Sequence, residues 1–407
     1  MPIRVRTRRL LRVAAGIAVL ALALTACGST SNGAGTTRTG ACGTVPTRLP
    51  EDPDGVFAKL PAALQADYNG YSTPIHASPW VDWKPPAGGA VIGISWTAPV
   101  NDYAADTLNS IKAALSSFPG VKNVIVLAGA NQGDVTAQLQ QFQSLVQQRV
   151  NLIIAASGTG GPFVSVVDGA AKQGIPTVSA FNTIPTKNAV NIVPNNYLAA
   201  AQTAAAAIKA AGDSTTVLKV HGIQGISIDG DAFRGFDDVL QNCPKVKVAG
   251  EVAGDFVPAQ AKSQVLRFLS THPGKLGVVL QSGGMSTGII GAFTSTGRPV
   301  PTVNDVAALK GSLGYWRANK KTYIGTASGG GAEAYAQLLS GVVQGMIAGN
   351  GVLISDFVQP QPLIDQNNID TWAQPDWDLQ TTGTAPNPAG TFDNGPLLAA
   401  GFQKKAS

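Results

Sequence analysis

Short runs of β-branched and aliphatic residues alternate with alanine-rich or amphipathic stretches along most of this chain. Residues 91–94, bounded by Gly88-Gly89, read as a strand apolar on both faces. A polar and aromatic loop follows (Ser95, Trp96, Asn101, Asp102, Tyr103), then an alanine-rich helix with Asp102 in its first turn. Residues 121–128 read as the next strand. In the helix over 135–150, Val135, Leu139, Phe142 and Val146 share one face and Asp134 caps the start. Strands over 151–155, 175–180 and 190–193 continue the series, and Pro194-Asn195-Asn196 leads into a helix over 197–211.

A second series begins with a strand over 216–221 and a helix from about Asp231. Strands over 246–252, 276–280, 300–303 and 322–326 follow, with helices over 258–270, from Met285, and over 331–348. Residues 352–357 and 361–370 close it. Strands alternating with helices of this length imply right-handed βαβ units and parallel sheets. Two such series imply an α/β protein of two Rossmann-like lobes, as the length of 407 residues also suggests.

Composition adds a compartment. Hydrophobic residues make up 44% of the chain and charged ones 13%, enough to fill two cores. The net charge of +5 comes from Arg4, Arg6, Arg8, Arg9 and Arg12 alone, so the chain beyond residue 26 is neutral and a nucleic-acid partner is not expected. Those arginines precede an apolar run over 13–24 and Leu24-Thr25-Ala26-Cys27, the pattern of an export leader over 1–26. The cysteine directly after Leu-Thr-Ala resembles a bacterial lipobox. This implies a lipid anchor on Cys27 and a place on the outer face of the cell membrane. In an exported chain Cys42 and Cys243 can pair, but nothing in the sequence brings their Cα atoms together, so a disulfide and two free thiols are both open.

Catalytic patterns are missing from the sequence. The three histidines are His76, His221 and His272, with no nucleophile elbow, no His-Glu-x-x-His and no metal-spaced cluster, so no catalytic residue, metal or cofactor is expected. Gly222-x-x-Gly225 reads as a tight turn, and residues 157–161 form a glycine-rich loop without the phosphate-binding lysine. The strand ends carry amides, carboxylates and rings instead: Trp96, Asn101, Asp102, Tyr103, Phe181, Asn182, Asn196, Asp229, Phe256 and Asp305. Such groups match the donors, acceptors and C–H faces of a small neutral hydroxylated ligand.

The lipobox, the tandem lobes and the loop after the first strand resemble the ribose-binding type of periplasmic binding protein, the substrate receptor of an ABC sugar importer, over roughly residues 90–372. The family's aromatic-asparagine loop falls on Trp96 and 101–103, and its Asp-Arg segment on Phe181-Asn182. Its Ser-Asp-Asn falls on 194–196, which gives Asn196 the role of sugar-binding asparagine. Gly254-Asp255-Phe256 and Val303-Asn304-Asp305 match two further landmarks, and residues 360–365 the returning C-terminal strand. Departures are Ser282-Gly283 in place of Asn-Asp, and Gly230 nearest the position of a ligand-binding arginine. Loss of those charges points to a modified sugar, a polyol or another small neutral molecule.

The resemblance implies a type I fold with a three-segment hinge, crossing near Asn195, Thr326 and Val352. The expected divisions are a leader over 1–26, a tether and extension over 27–86, a first lobe over 87–195 plus 326–352, a second lobe over 196–325 plus 353–374, and an extension over 375–407. A monomer closing on its ligand and docking on an ABC permease is expected. Three alternatives are a sensor handing ligand occupancy to a membrane receptor, an exported carbohydrate-active enzyme, and a cell-wall structural lipoprotein with an empty cleft.

Overall fold

The structure, a computed structural model, describes residues 40–131, 133–389 and 393–403. The leader, Cys27 and residues 28–39 of the tether lie outside the described residues. The first series runs α1 (Ala62–Ala66), β1 (Ala90–Thr97), α2 (Asp102–Ser116), β2 (Val121–Ala130), α3 (Val135–Gln147), β3 (Leu152–Ala156), α4 (Val164–Ala171), β4 (Thr177–Ala180) and β5 (Ala189–Pro194). The second runs α5 (Asn196–Ala211), β6 (Thr216–His221), α6 (Ser227–Leu240), β7 (Lys247–Ala253), α7 (Pro258–Thr271), β8 (Val278–Gln281), α8 (Ser286–Thr296), β9 (Thr302–Asp305), α9 (Lys310–Asn319) and β10 (Thr326–Ser328). The chain ends with α10 (Ala332–Ile347), β11 (Gly351–Val352), β12 (Asp356–Gln359), β13 (Leu363–Ile364), α11 (Ile369–Trp372), α12 (Gly395–Gly401) and β14 (Phe402–Gln403).

Two six-stranded sheets result, in the orders β12-β5-β4-β3-β1-β2 and β13-β10-β9-β8-β6-β7. All pairs in the first are parallel, and in the second only β13 runs antiparallel, against β10. Central strands are covered by helices on both faces, and β3, β4 and β8 are buried along their whole length, as their aliphatic runs require. β1 pairs with both β2 and β3, and β6 with both β7 and β8. Strand order reverses at these two strands, so a crevice opens beyond their carboxyl ends. Short polar side chains start the helices that leave this edge. Asn101 Oδ1 accepts from Ala104 N at 3.1 Å, Asp134 Oδ1 from Ala137 N at 2.9 Å, and Asn195 Oδ1 from Leu198 N at 2.9 Å.

Two of the three crossings sit elsewhere than expected. Thr326–Ser328 pairs with Asn304 and Asp305, so it belongs to the second sheet, and the chain leaves that lobe only after Ser328. Asp356–Gln359 pairs with Asn191 to Pro194, which places residues 356–359 in the first lobe rather than the second. The return crossing therefore follows Gln359 instead of Val352. Strand pairing, which local apolar pattern does not encode, decides both boundaries.

The flanks are ordered parts of the fold. Phe57, Leu60, Leu64, Tyr68, Tyr71, Ile75 and Trp80 join the apolar core of the first lobe. Cys42 and Cys243 form a disulfide. Residues expected to be irregular near the C-terminus include α12 and β14, the latter paired with β11. Among the described residues no helix is long and apolar enough to cross a membrane.

Candidate functional site

A cavity of about 90 Å³ lies between the two sheets' carboxyl edges. The first lobe contributes Asn101, Tyr103, Ala104, Phe181 and Pro194. The second contributes residues from α5, α6 and the loops after β7, β8 and β9, including Asn196, Phe256, Ser282 and Val306. Gly330 and Gln361, beside the second and third crossings, complete the wall. Asn101 Nδ2 donates to Phe256 O at 3.2 Å, a hydrogen bond directly from one lobe to the other.

Rings form the first-lobe wall. Phe181 stacks on Tyr335 at 5.1 Å between centroids and meets Trp96 edge-on at 5.2 Å. Its backbone N–H donates to Tyr335 Oη at 2.7 Å, and that hydroxyl donates to Ile192 O at 2.6 Å. These contacts hold Phe181 at φ +69°, a left-handed conformation that a bulky side chain rarely adopts. In the second lobe Asp255 and Phe256 have φ +55° and +60°. The Phe256 ring lies over Gly222, where a Cβ would fall 2.1 Å from its tip, so only glycine leaves room at that position. Strained residues cluster at functional sites.

Of the ten residues expected at the site, Asn101, Tyr103, Phe181, Asn196 and Phe256 line the cavity. The other five lie off the cavity wall. Trp96 has no exposed surface and packs behind Phe181. Asn182 Nδ2 donates to Ser157 O, away from the cavity. Asp102 Oδ2 accepts from Gly383 N at 2.5 Å.

The two buried aspartates are saturated within the second lobe. Asp229 accepts from Ser282 Oγ and Gly222 N, each at 2.7 Å, and faces His221 Nδ1 at 2.7 Å. His221 also faces Glu251 at 3.1 Å and stacks on Phe233. Hydrogen bonding from Lys219, reinforced by His221, holds Glu251 below the usual carboxylate range. Asp305 accepts from Ser286 Oγ at 2.9 Å, Ser312 Oγ, Ala307 N at 2.8 Å and Leu309 N at 3.0 Å. Burial nevertheless raises its pKa above the ordinary value. Its placement makes Asp305 a brace for the loop that carries Val306 and Ala307, not a lining residue.

Sequence reading missed Tyr335, Ile228, Val306, Gly330 and Gln361. Tyr335 lies 154 residues from Phe181, and nothing local marks it. Among the described residues no cluster could hold a metal ion.

A family profile described as "Periplasmic binding protein domain" matches residues 92–351. The xylitol-binding protein of Mycolicibacterium smegmatis is 23% identical over 261 residues, covering 64% of this chain and 74% of that protein. The ribose import binding protein of Bacillus subtilis is 23% identical over 182 residues, covering 44% of this chain and 58% of that one. Among solved structures, an ABC transporter solute binding protein from Mycobacterium smegmatis with bound glycerol aligns with a TM-score of 0.64 at 18% identity, over 74% of this chain and all of that one. One from Bacillus halodurans with bound myo-inositol gives 0.61 at 16% identity, over 70% of this chain and 97% of that one.

Proposed function

The chain belongs to the periplasmic binding protein family, ribose type, and we propose that it is the lipid-anchored solute receptor of an ABC importer. It is a binding protein and not an enzyme, as are the relatives that place it. A single observation carries the reading: a cavity bounded by both lobes and by two of the three chain crossings, with a hydrogen bond already bridging the lobes. A ligand there touches both halves, and contacts made only when the halves meet favour the closed form.

Its solute is an uncharged, hydroxyl-bearing molecule: a sugar, a modified sugar or a polyol. Relatives described as binding xylitol and ribose, and structural neighbours holding glycerol and myo-inositol, support that class. So does the lining, which among the described residues contains no Asp, Glu, Lys, Arg or His. Tyr103, Phe181, Asn196 and Phe256 would contact the solute, with Asn101 joining the lobes. Cys27 would carry the lipid, leaving the receptor, a monomer, on the outer face of the membrane beside its permease.

Mass spectrometry of small molecules released by unfolding the purified protein tests this. The expected result is one neutral solute in near-stoichiometric amount, which also raises the melting temperature when added back. A charged solute, or none released and no stabilisation across a neutral panel, overturns it.

A further inference from the structure

The cavity offers far less free hydrogen-bonding capacity than its count of polar residues suggests. Five polar side chains line it: Asn101, Tyr103, Asn196, Ser282 and Gln361. Three are already committed within the protein. Asn101 caps α2 with its oxygen and donates to Phe256 O with its nitrogen. Ser282 Oγ donates to Asp229 and accepts from Gly222 N. Gln361 accepts from Ser328 Oγ at 2.8 Å and donates to Gln359 O at 3.3 Å. Three backbone donors are spent too: Gly283 N on Gln281, Ala307 N on Asp305 and Gly330 N on Asn387.

Among the lining side chains, that leaves the hydroxyl of Tyr103 and the amide of Asn196 as the two polar groups with no hydrogen-bond partner among the described residues. The rest of the surface is hydrocarbon, led by the rings of Tyr103, Phe181 and Phe256 with Ala199, Ile228 and Val306. The unpartnered buried atoms Trp96 Nε1, Ser157 Oγ and Asn182 Oδ1 belong to residues outside the lining. Trp96 is screened by Phe181, which Tyr335 fixes in place.

A hydroxyl buried without a partner weakens binding by roughly five- to 150-fold. A ring bearing a hydroxyl on every carbon would meet that penalty several times over. The cavity itself is small, about 90 Å³.

Granted the solute-binding reading of this cleft, we infer that its ligand is a sparsely hydroxylated, compact neutral molecule, such as a deoxygenated or alkylated cyclic polyol. Such a ligand has one edge of about two hydrogen-bonding groups and an otherwise apolar body. The polar edge meets Tyr103 and Asn196, and the body lies among the rings.

The test compares two six-membered rings by thermal shift and calorimetry on the full chain: trans-1,2-cyclohexanediol and myo-inositol, with xylitol as an acyclic control. The diol is expected to bind at least tenfold more tightly than either polyol, with Tyr103→Phe and Asn196→Ala each weakening it about tenfold. Phe181→Ala, which uncovers Trp96, is expected to narrow the preference for the diol. Equal or tighter binding of myo-inositol or xylitol by the unmodified protein overturns the inference while leaving the solute receptor standing. Failure of all three to bind, with no solute released on unfolding, overturns both.

Discussion

Two flanking segments lie outside the residues that the family profile matches, and they are fastened to the lobes by different physics. The N-terminal flank begins on the second lobe, through the Cys42–Cys243 disulfide and the Arg48–Asp238 ion pair. It then sinks into the first lobe, where Tyr68 and Ile75 have no exposed surface and the hydroxyl of Tyr68 donates to Asp356 O at 2.8 Å. The C-terminal flank touches the second lobe through Ala385 N to Ala308 O at 2.7 Å and Lys310 N to Gly383 O at 3.0 Å. The same short stretch donates to the first lobe, from Gly383 N to Asp102 and from Thr384 N to Asp106 at 3.3 Å.

Contacts inside one lobe persist whether the cleft is open or shut, so they cancel from the closing equilibrium and count only toward folding. Contacts of one segment with both lobes at once must break on opening, so they count toward closure. The N-terminal flank also reaches both lobes, but it holds mainly by burial in the first and a covalent crosslink to the second, whereas residues 383–385 hold both lobes by hydrogen bonds alone.

The disulfide gives the sharpest way to break this comparison. Cys42→Ser with Cys243→Ser releases a crosslink spanning 201 residues and is expected to cost about 2–4 kcal/mol of unfolding free energy. Solute affinity should change less than threefold. A large loss of affinity with unchanged denaturant midpoint would contradict the assignment.

Next is Asp356, which anchors the flank by accepting from Tyr71 Oη at 2.5 Å, and also accepts from Asn191 Nδ2 at 2.9 Å and Ser355 Oγ. Burial raises its pKa from 3.8 to about 6 against those hydrogen bonds. Between these values the unfolded chain loses the proton while the folded chain keeps it. Stability from this group therefore falls as pH rises through that window and is flat above it, by about 2–3 kcal/mol in all. Asp356→Asn should exceed the unmodified protein in stability at pH 7 and match it near pH 4, as read by urea titration.

Smallest in stability is the C-terminal contact. Asp102→Ala with Asp106→Ala should cost only about 1 kcal/mol of folding free energy. The solute-free protein should nevertheless scatter X-rays as a larger particle, and the solute should bind several-fold more weakly. An unchanged radius with unchanged affinity would sink the closure role.

Much of the fold was legible because parallel strands buried on both faces leave uninterrupted aliphatic runs, as in β3 and β8. Helix α9 was not: its segment Gly311, Ser312, Gly314 carries weak helix formers, and packing against the tail at Trp377 holds it. The cavity was half legible. Asparagines and rings after strands announce a site, and Asn101, Tyr103, Phe181, Asn196 and Phe256 reach it. Asp229 and Asp305 look equivalent in sequence but are consumed by partners such as Ser282 and Ser312. A carboxylate's availability depends on what the fold brings beside it, which sequence spacing does not state.

Gly222 is not part of the cavity lining, yet a single added carbon there would collide with the ring of Phe256. Selectivity can thus be retuned from behind the wall: one methyl at the rear would shift the aromatic panel and remould the chamber, with every solute-facing residue unchanged.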